Sequence, residues 1–148
     1  MAAQWPRVQA ALVSLLPGLP GWPSQVYDGP PVTGEAPLAY ATVGYAFPED
    51  SGGSYETETA GNGFQVVERG LIRCEVVTAT GDTDLPTVRA QAFALMDALD
   101  QSIRDDRTLG GVLSPDSTCT LSVDVVPVQS DRGAVQRIPF SLNYQTRT

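Results

Sequence analysis

Hydrophobic positions along the chain change their period several times, and each change marks an element. Val8, Leu12, Leu15 and Leu16 recur at helical spacing behind Pro6, which a first turn tolerates, until Pro17 stops the run. This predicts a short amphipathic helix over 5–16. The following Pro17-Gly18-Leu19-Pro20-Gly21-Trp22-Pro23 can continue neither a helix nor a central strand, and reads as an elbow or exposed arm with Trp22 as an anchor. Gln25-Val26-Tyr27-Asp28 before Gly29-Pro30-Pro31 reads as a short strand and turn. Residues 38–47, rich in β-branched and aromatic side chains between Pro37 and Pro48, read as a longer strand. Over 49–63 the pattern lapses. Ser51-Gly52-Gly53-Ser54, Gly61 and the acids Glu49, Asp50, Glu56 and Glu58 leave little to bury, which predicts a flexible acidic loop or extended hairpin tip.

Alternation returns over 64–80, with Ile72, Cys74 and Val76 on one face and Arg73, Glu75 and Val77 on the other, as in a strand with a buried face. A long helix follows at about 85–106. Asp82 and Asp84 stand at its positive end, Pro86 in its first turn, and Val88, Ala92, Leu95, Leu99 and Ile103 along one face. Asp100 and Arg104 pair four apart outside, Arg104 and Arg107 suit the negative end, and Gly110-Gly111 end the helix. Residues 118–128 alternate with Cys119, Leu121, Val123 and Val125 facing one way. Ser130-Asp131-Arg132-Gly133 is turn chemistry, and 135–147 alternates with Ile138, Phe140, Leu142 and Tyr144 inward, closing a C-terminal β-hairpin. Pro139 cannot donate to a ladder, which predicts an edge strand or a bulge there. The reading is one α+β domain over 1–148: an antiparallel or mixed sheet with the long helix and the short N-terminal helix packed on that sheet, and the C-terminal β-hairpin.

Composition narrows the chemistry. At 148 residues the chain is one domain's worth, able to bury roughly 68–70% of its unfolded surface without a disulfide or metal. All 9 basic residues are Arg, against 17 acids and no His, for a net charge of −8. Without Lys there is no Schiff base and no phosphate-cradling lysine; without His there is no Ser-His-Asp or Cys-His pair and no imidazole ligand. A net negative chain is repelled by DNA, whose affinity for proteins comes mainly from Lys and Arg displacing counterions. Cys74 and Cys119, on apolar strand faces, read as free core thiols of a reducing compartment. The apolar stretch 10–16 has one Arg ahead of it and no small-residue cleavage site behind it, and no run approaches the roughly 18 apolar residues of a membrane span, so the expectation is a soluble intracellular product.

Two protease-like signals fail on context. Glu49-Asp50-Ser51-Gly52-Gly53 has the look of a chymotrypsin-like nucleophile turn without a histidine base, and Asp50-Ser51-Gly52 that of an aspartic-protease loop without an apolar strand leading in. Asp82 and Asp84 lie roughly 30 Å from Asp105-Asp106 along a helix rising 1.5 Å per residue, too far to share a cation. The sequence therefore predicts no catalytic, cofactor-binding or metal-binding residues, and no cofactor. What remains points to protein partners: Trp5 and Trp22 as exposed aromatics, Glu49, Asp50, Tyr55, Glu56 and Glu58 in the acidic loop, and an open strand edge. A carboxylate-dependent hydrolase or small-ligand binding domain is the alternative from another class, and it needs two acids about 5–9 Å apart.

The run Gly81-Asp82-Thr83-Asp84-Leu85 into an Ala-rich helix, then Arg107-Thr108-Leu109-Gly110-Gly111-Val112, then a strand, then Gly133-Ala134-Val135-Gln136-Arg137-Ile138-Pro139-Phe140-Ser141-Leu142-Asn143-Tyr144, resembles the tail-terminator proteins of long-tailed bacteriophages. The resemblance is best over 64–148 and absent over 49–63. It implies a small α+β structural subunit, not an enzyme, that forms a sixfold ring on the last ring of the tail tube and stops its polymerisation. Its partners would be copies of itself, the major tail tube protein and a head–tail connector or neck protein. DNA would pass through without specific binding, no membrane would be involved, and the location would be the head–tail junction of a virion assembled in the host cytoplasm. A neck or head-closure protein, or a tail-tube protein, of related fold is the alternative within this class.

Overall fold

The computed structural model describes residues 3–31, 39–46, 51–60, 65–79, 85–130 and 133–147. The chain is α+β: two helices lie on one face of a seven-stranded mixed sheet. Its elements are α1 (Trp5–Leu15), β1 (Val26–Asp28), β2 (Tyr40–Val43), β3 (Gly53–Ala60), β4 (Gln65–Ala79), α2 (Leu85–Asp105), β5 (Thr118–Val123), β6 (Val126–Ser130) and β7 (Gly133–Arg147).

Two 15-residue strands, β4 and β7, pair antiparallel over almost their whole length and form the spine. Shorter strands share their outer edges. On the β4 side, β2 takes positions 74–77 and β3 takes 65–72; on the β7 side, β5 takes 140–145 and β6 takes 133–137. β1 adds to β2, the one parallel pair.

The even positions of β4 and β7 form the covered face: Ile72, Cys74 and Val76 beside Leu142, Phe140 and Ile138. Against them α2 buries Val88, Ala92, Leu95, Met96, Leu99 and Ile103, the stripe that its spacing predicts. α1 buries Val8 and Leu12, and Leu16 follows in a 3₁₀ turn. Each such leucine is worth about 1.5–3 kcal/mol relative to an exposed position. α1 packs chiefly on β1, β2 and β4 and so lies beside α2 on the sheet, as the sequence reading expects. Its N-terminus is anchored from the sheet: the buried Glu68 carboxylate accepts the Gln4 N–H at 2.9 and 3.1 Å and the Tyr144 hydroxyl at 2.6 Å.

Four expectations need correction. Of the two readings of 49–63, the flexible loop gives way to the extended hairpin: strand β3 is bonded residue for residue to β4 from Gly53↔Ile72 to Ala60↔Gln65, so the described part is a hairpin arm. Its entry demands glycine: Gly53 has φ +142°, and a Cβ there would fall 2.0 Å from the Leu71 carbonyl oxygen. Among the described residues, the strand expected over 38–47 runs as β2 over 40–43, beyond which Gly44 turns with φ +81° and donates to the Arg73 carbonyl. α2 ends at Asp105, and the glycines act later, in a turn where the Asp106 carboxylate accepts the Thr108 and Gly110 N–H groups.

The fourth concerns Pro139. β7 is interior, and the register runs unbroken from Val123↔Phe140 to Val126↔Arg137, so there is neither an edge nor a bulge. The Asp124 N–H donates to the Pro139 carbonyl at 2.9 Å, but proline has no N–H to return the bond. One missing rung divides the single strand expected over 118–128 into β5 and β6. The expected helix-start acids Asp82 and Asp84 lie outside the described residues, as do the expected interface residues Glu49 and Asp50.

Candidate functional site

The odd positions of β4 and β7 form the other face of the sheet, which no helix covers among the described residues. Arg69, Arg73 and Arg137 stand on it. At one end Glu75 is 1% exposed and its carboxylate receives a two-pronged bond from Arg137, Nη2 to Oε1 at 2.7 Å and Nε to Oε2 at 3.3 Å. Burial pushes this carboxyl above its ordinary value and the guanidinium opposes the rise. Tyr40 hydrogen-bonds Arg137 from β2; burial raises its hydroxyl pKa, and its ring meets Tyr27 edge-on at 5.9 Å.

At the other end the same face is concave. A hollow of about 660 Å³ lies across β3, β4, β7 and β5, lined on this side by Glu56, Arg69, Leu71, Thr120, Asn143 and Gln145. At its β3 side Arg69 pairs with Glu58 on the neighbouring strand at 3.0 Å, an exposed contact, and Asn143 donates to the Ser122 hydroxyl. The hollow ends at two sheet edges. β3 pairs only with β4 and β5 only with β7 among the described residues, so the outer side of each is open.

The site residues proposed from sequence separate into three groups. Tyr55, Glu56 and Glu58 share β3, all exposed, Tyr55 at 52%. Trp5 is half-buried and its indole N–H donates to the Leu71 carbonyl at 3.1 Å, which ties α1 to β4. Trp22, expected as an exposed aromatic, is buried: its indole N–H reaches the Leu95 carbonyl at 2.8 Å and its ring stands edge-on to Phe140 at 6.2 Å. It is a core residue because the elbow folds back over α2 and the sheet, burying a large ring and satisfying its one donor.

Burial pushes the Cys74 thiol up to about 12 and that of Cys119 up to about 11, so both stay protonated and weakly nucleophilic. Glu68 and Glu75, the buried carboxylates among the described residues, occupy opposite faces of β4 and cannot flank one substrate. The described residues hold no cluster of potential metal ligands, and no helix among them is long and apolar enough to cross a membrane. Sequence reasoning missed Glu68, Glu75, Tyr40 and Arg137. Its only available signal was a charged residue in an alternating strand, and the partners, 62 positions apart for Glu75 and Arg137, are set by register. The sequence matches no protein-family model and no curated protein.

Proposed function

We propose that the chain is a structural subunit that closes with copies of itself into a ring and caps a phage tail tube, ending polymerisation and forming the tail side of the head–tail junction. The observation that carries this reading is that β3 and β5, which flank one exposed hollow, each have an unpaired outer edge among the described residues. Two different edges on one subunit favour a head-to-tail contact, which generates a ring when the rotation closes. The exposed acidic arm of β3 suits a docking surface for the tube or for a neighbour. A net charge of −8 discourages DNA from sticking as it passes.

Native mass measurement and electron microscopy, with and without purified tail tubes, test the reading. The expected result is a closed ring, in solution or on tube ends, with tube growth arrested. A protein that stays monomeric and leaves tube ends bare overturns it. Incorporation along the tube would mark a tube subunit, and attachment to heads alone a neck or head-closure protein.

A further inference from the structure

β3, β4, β7 and β5 alternate in direction, each antiparallel to the next. The free edges at the two ends of this ribbon therefore run in opposite directions. A second copy placed alongside in the same orientation lays its β3 antiparallel to the first copy's β5.

The backbone groups agree with the directions. The Arg73 N–H bonds to the Gly52 carbonyl, and with the β3–β4 register this turns the amides and carbonyls of Ser54, Glu56 and Glu58 inward. Those of Tyr55, Thr57 and Thr59 face outward. On the other edge the Asp124 N–H bonds to Pro139, which turns Thr118, Thr120 and Ser122 inward and leaves Cys119, Leu121 and Val123 outward. Both outward-facing sets belong to residues on the same, covered side of the sheet: Tyr55 is opposite Gly70, and Leu121 opposite Leu142. Two copies can complete each other's ladder without either sheet turning over.

Side chains favour this pairing over that of β3 with another β3. Setting Tyr55 opposite Leu121 or Val123 places Glu56 and Glu58 opposite only the hydroxyls of Thr118, Thr120 or Ser122. It also gathers Tyr55 and Val123, 52% and 41% exposed, on one side of the junction. Pairing β3 with another β3 would instead set these glutamates across from one another, which destabilises an antiparallel ladder.

We infer that β3 of one copy adds in antiparallel to β5 of the next, so that one sheet continues from subunit to subunit around the ring. This rests on the ring reading above and names its contact.

Disulfide trapping tests it. In a Cys119→Ser background, Glu56→Cys is combined with Thr120→Cys or with Ser122→Cys; these pairs fall at non-hydrogen-bonded positions of the junction, about 4.5 Å apart between Cα atoms. Oxidation of one double variant is expected to give a ladder of covalent multimers beyond the dimer, and none from any single variant. Rings seen by microscopy without a ladder from either double variant overturn the edge pairing and leave the ring reading intact. Neither rings nor ladder, even with tail tubes, overturns both. Covalent dimers from a single variant mean that like edges pair, and also overturn it. Thr57→Pro removes an outward N–H without touching the β4 ladder; it is expected to weaken assembly about tenfold or more with the monomer's circular dichroism unchanged, while Thr57→Val assembles normally. Normal assembly of a folded Thr57→Pro variant overturns the inference.

Discussion

The two faces of the sheet are made by alternate residues of the same strands, yet they are held together differently. On the covered face, Ile72, Cys74, Val76, Ile138, Phe140 and Leu142 meet the helix stripes, and the stabilisation is area removed from water. On the open face, the ordered end depends on a few directed contacts among Glu75, Arg137 and Tyr40. The first arrangement tolerates repacking within its volume. The second does not tolerate the loss of a partner, because a carboxylate already out of water keeps its desolvation cost when its cation is gone.

Arg137→Met should therefore show the largest effect, a loss of about 3–5 kcal/mol at neutral pH. Its pH dependence carries a sign. The Glu75 carboxyl is raised in the folded state, chiefly by burial, and Arg137 opposes the rise. A raised folded value means the folded protein holds the proton more tightly, so the contribution of Glu75 is most favourable below the unfolded value and is lost as pH rises through the folded one. Without Arg137 that window moves further up, and mild acidification should recover part of the deficit. Urea titrations at neutral and mildly acidic pH check this, and an equal loss at both would break the electrostatic account. Leu142→Ala, fully buried on the covered face, should cost about 2–5 kcal/mol with no such pH dependence; the same titrations sharpen the contrast. Glu58→Ala should be the mildest. Its bond to Arg69 joins side chains 68% and 46% exposed, so denaturation should shift by less than about 1 kcal/mol and vanish into noise at high salt.

What was legible in the sequence follows the same division. α2 and the spine strands announce themselves because apolar residues recur at the helical or strand period wherever one side is buried. β3 does not: Tyr55-Glu56-Thr57-Glu58-Thr59 has no apolar alternation, since both its sides are exposed and its order comes from backbone bonds to β4. Trp22 packs as the anchor its place in the elbow suggests, but it is buried and not exposed, because Gly and Pro around it signal a break without saying which way the chain turns next. Pro139 was misplaced for a related reason. Its missing donor fixes where a rung is lost, whereas its position within the sheet is set by two long partners distant in sequence. The free edges were expected in kind, and their directions emerge only once the strand order is known.

The two indoles described above make the fold its own optical reporter. Trp22, sealed beside Phe140, should emit at short wavelength until α2 parts from the sheet, whereas Trp5, bonded to the Leu71 carbonyl directly behind the hairpin arm, sits where docking of a neighbour would alter its surroundings. Global melting and local assembly can thus be followed in one unlabelled sample by wavelength and quenching.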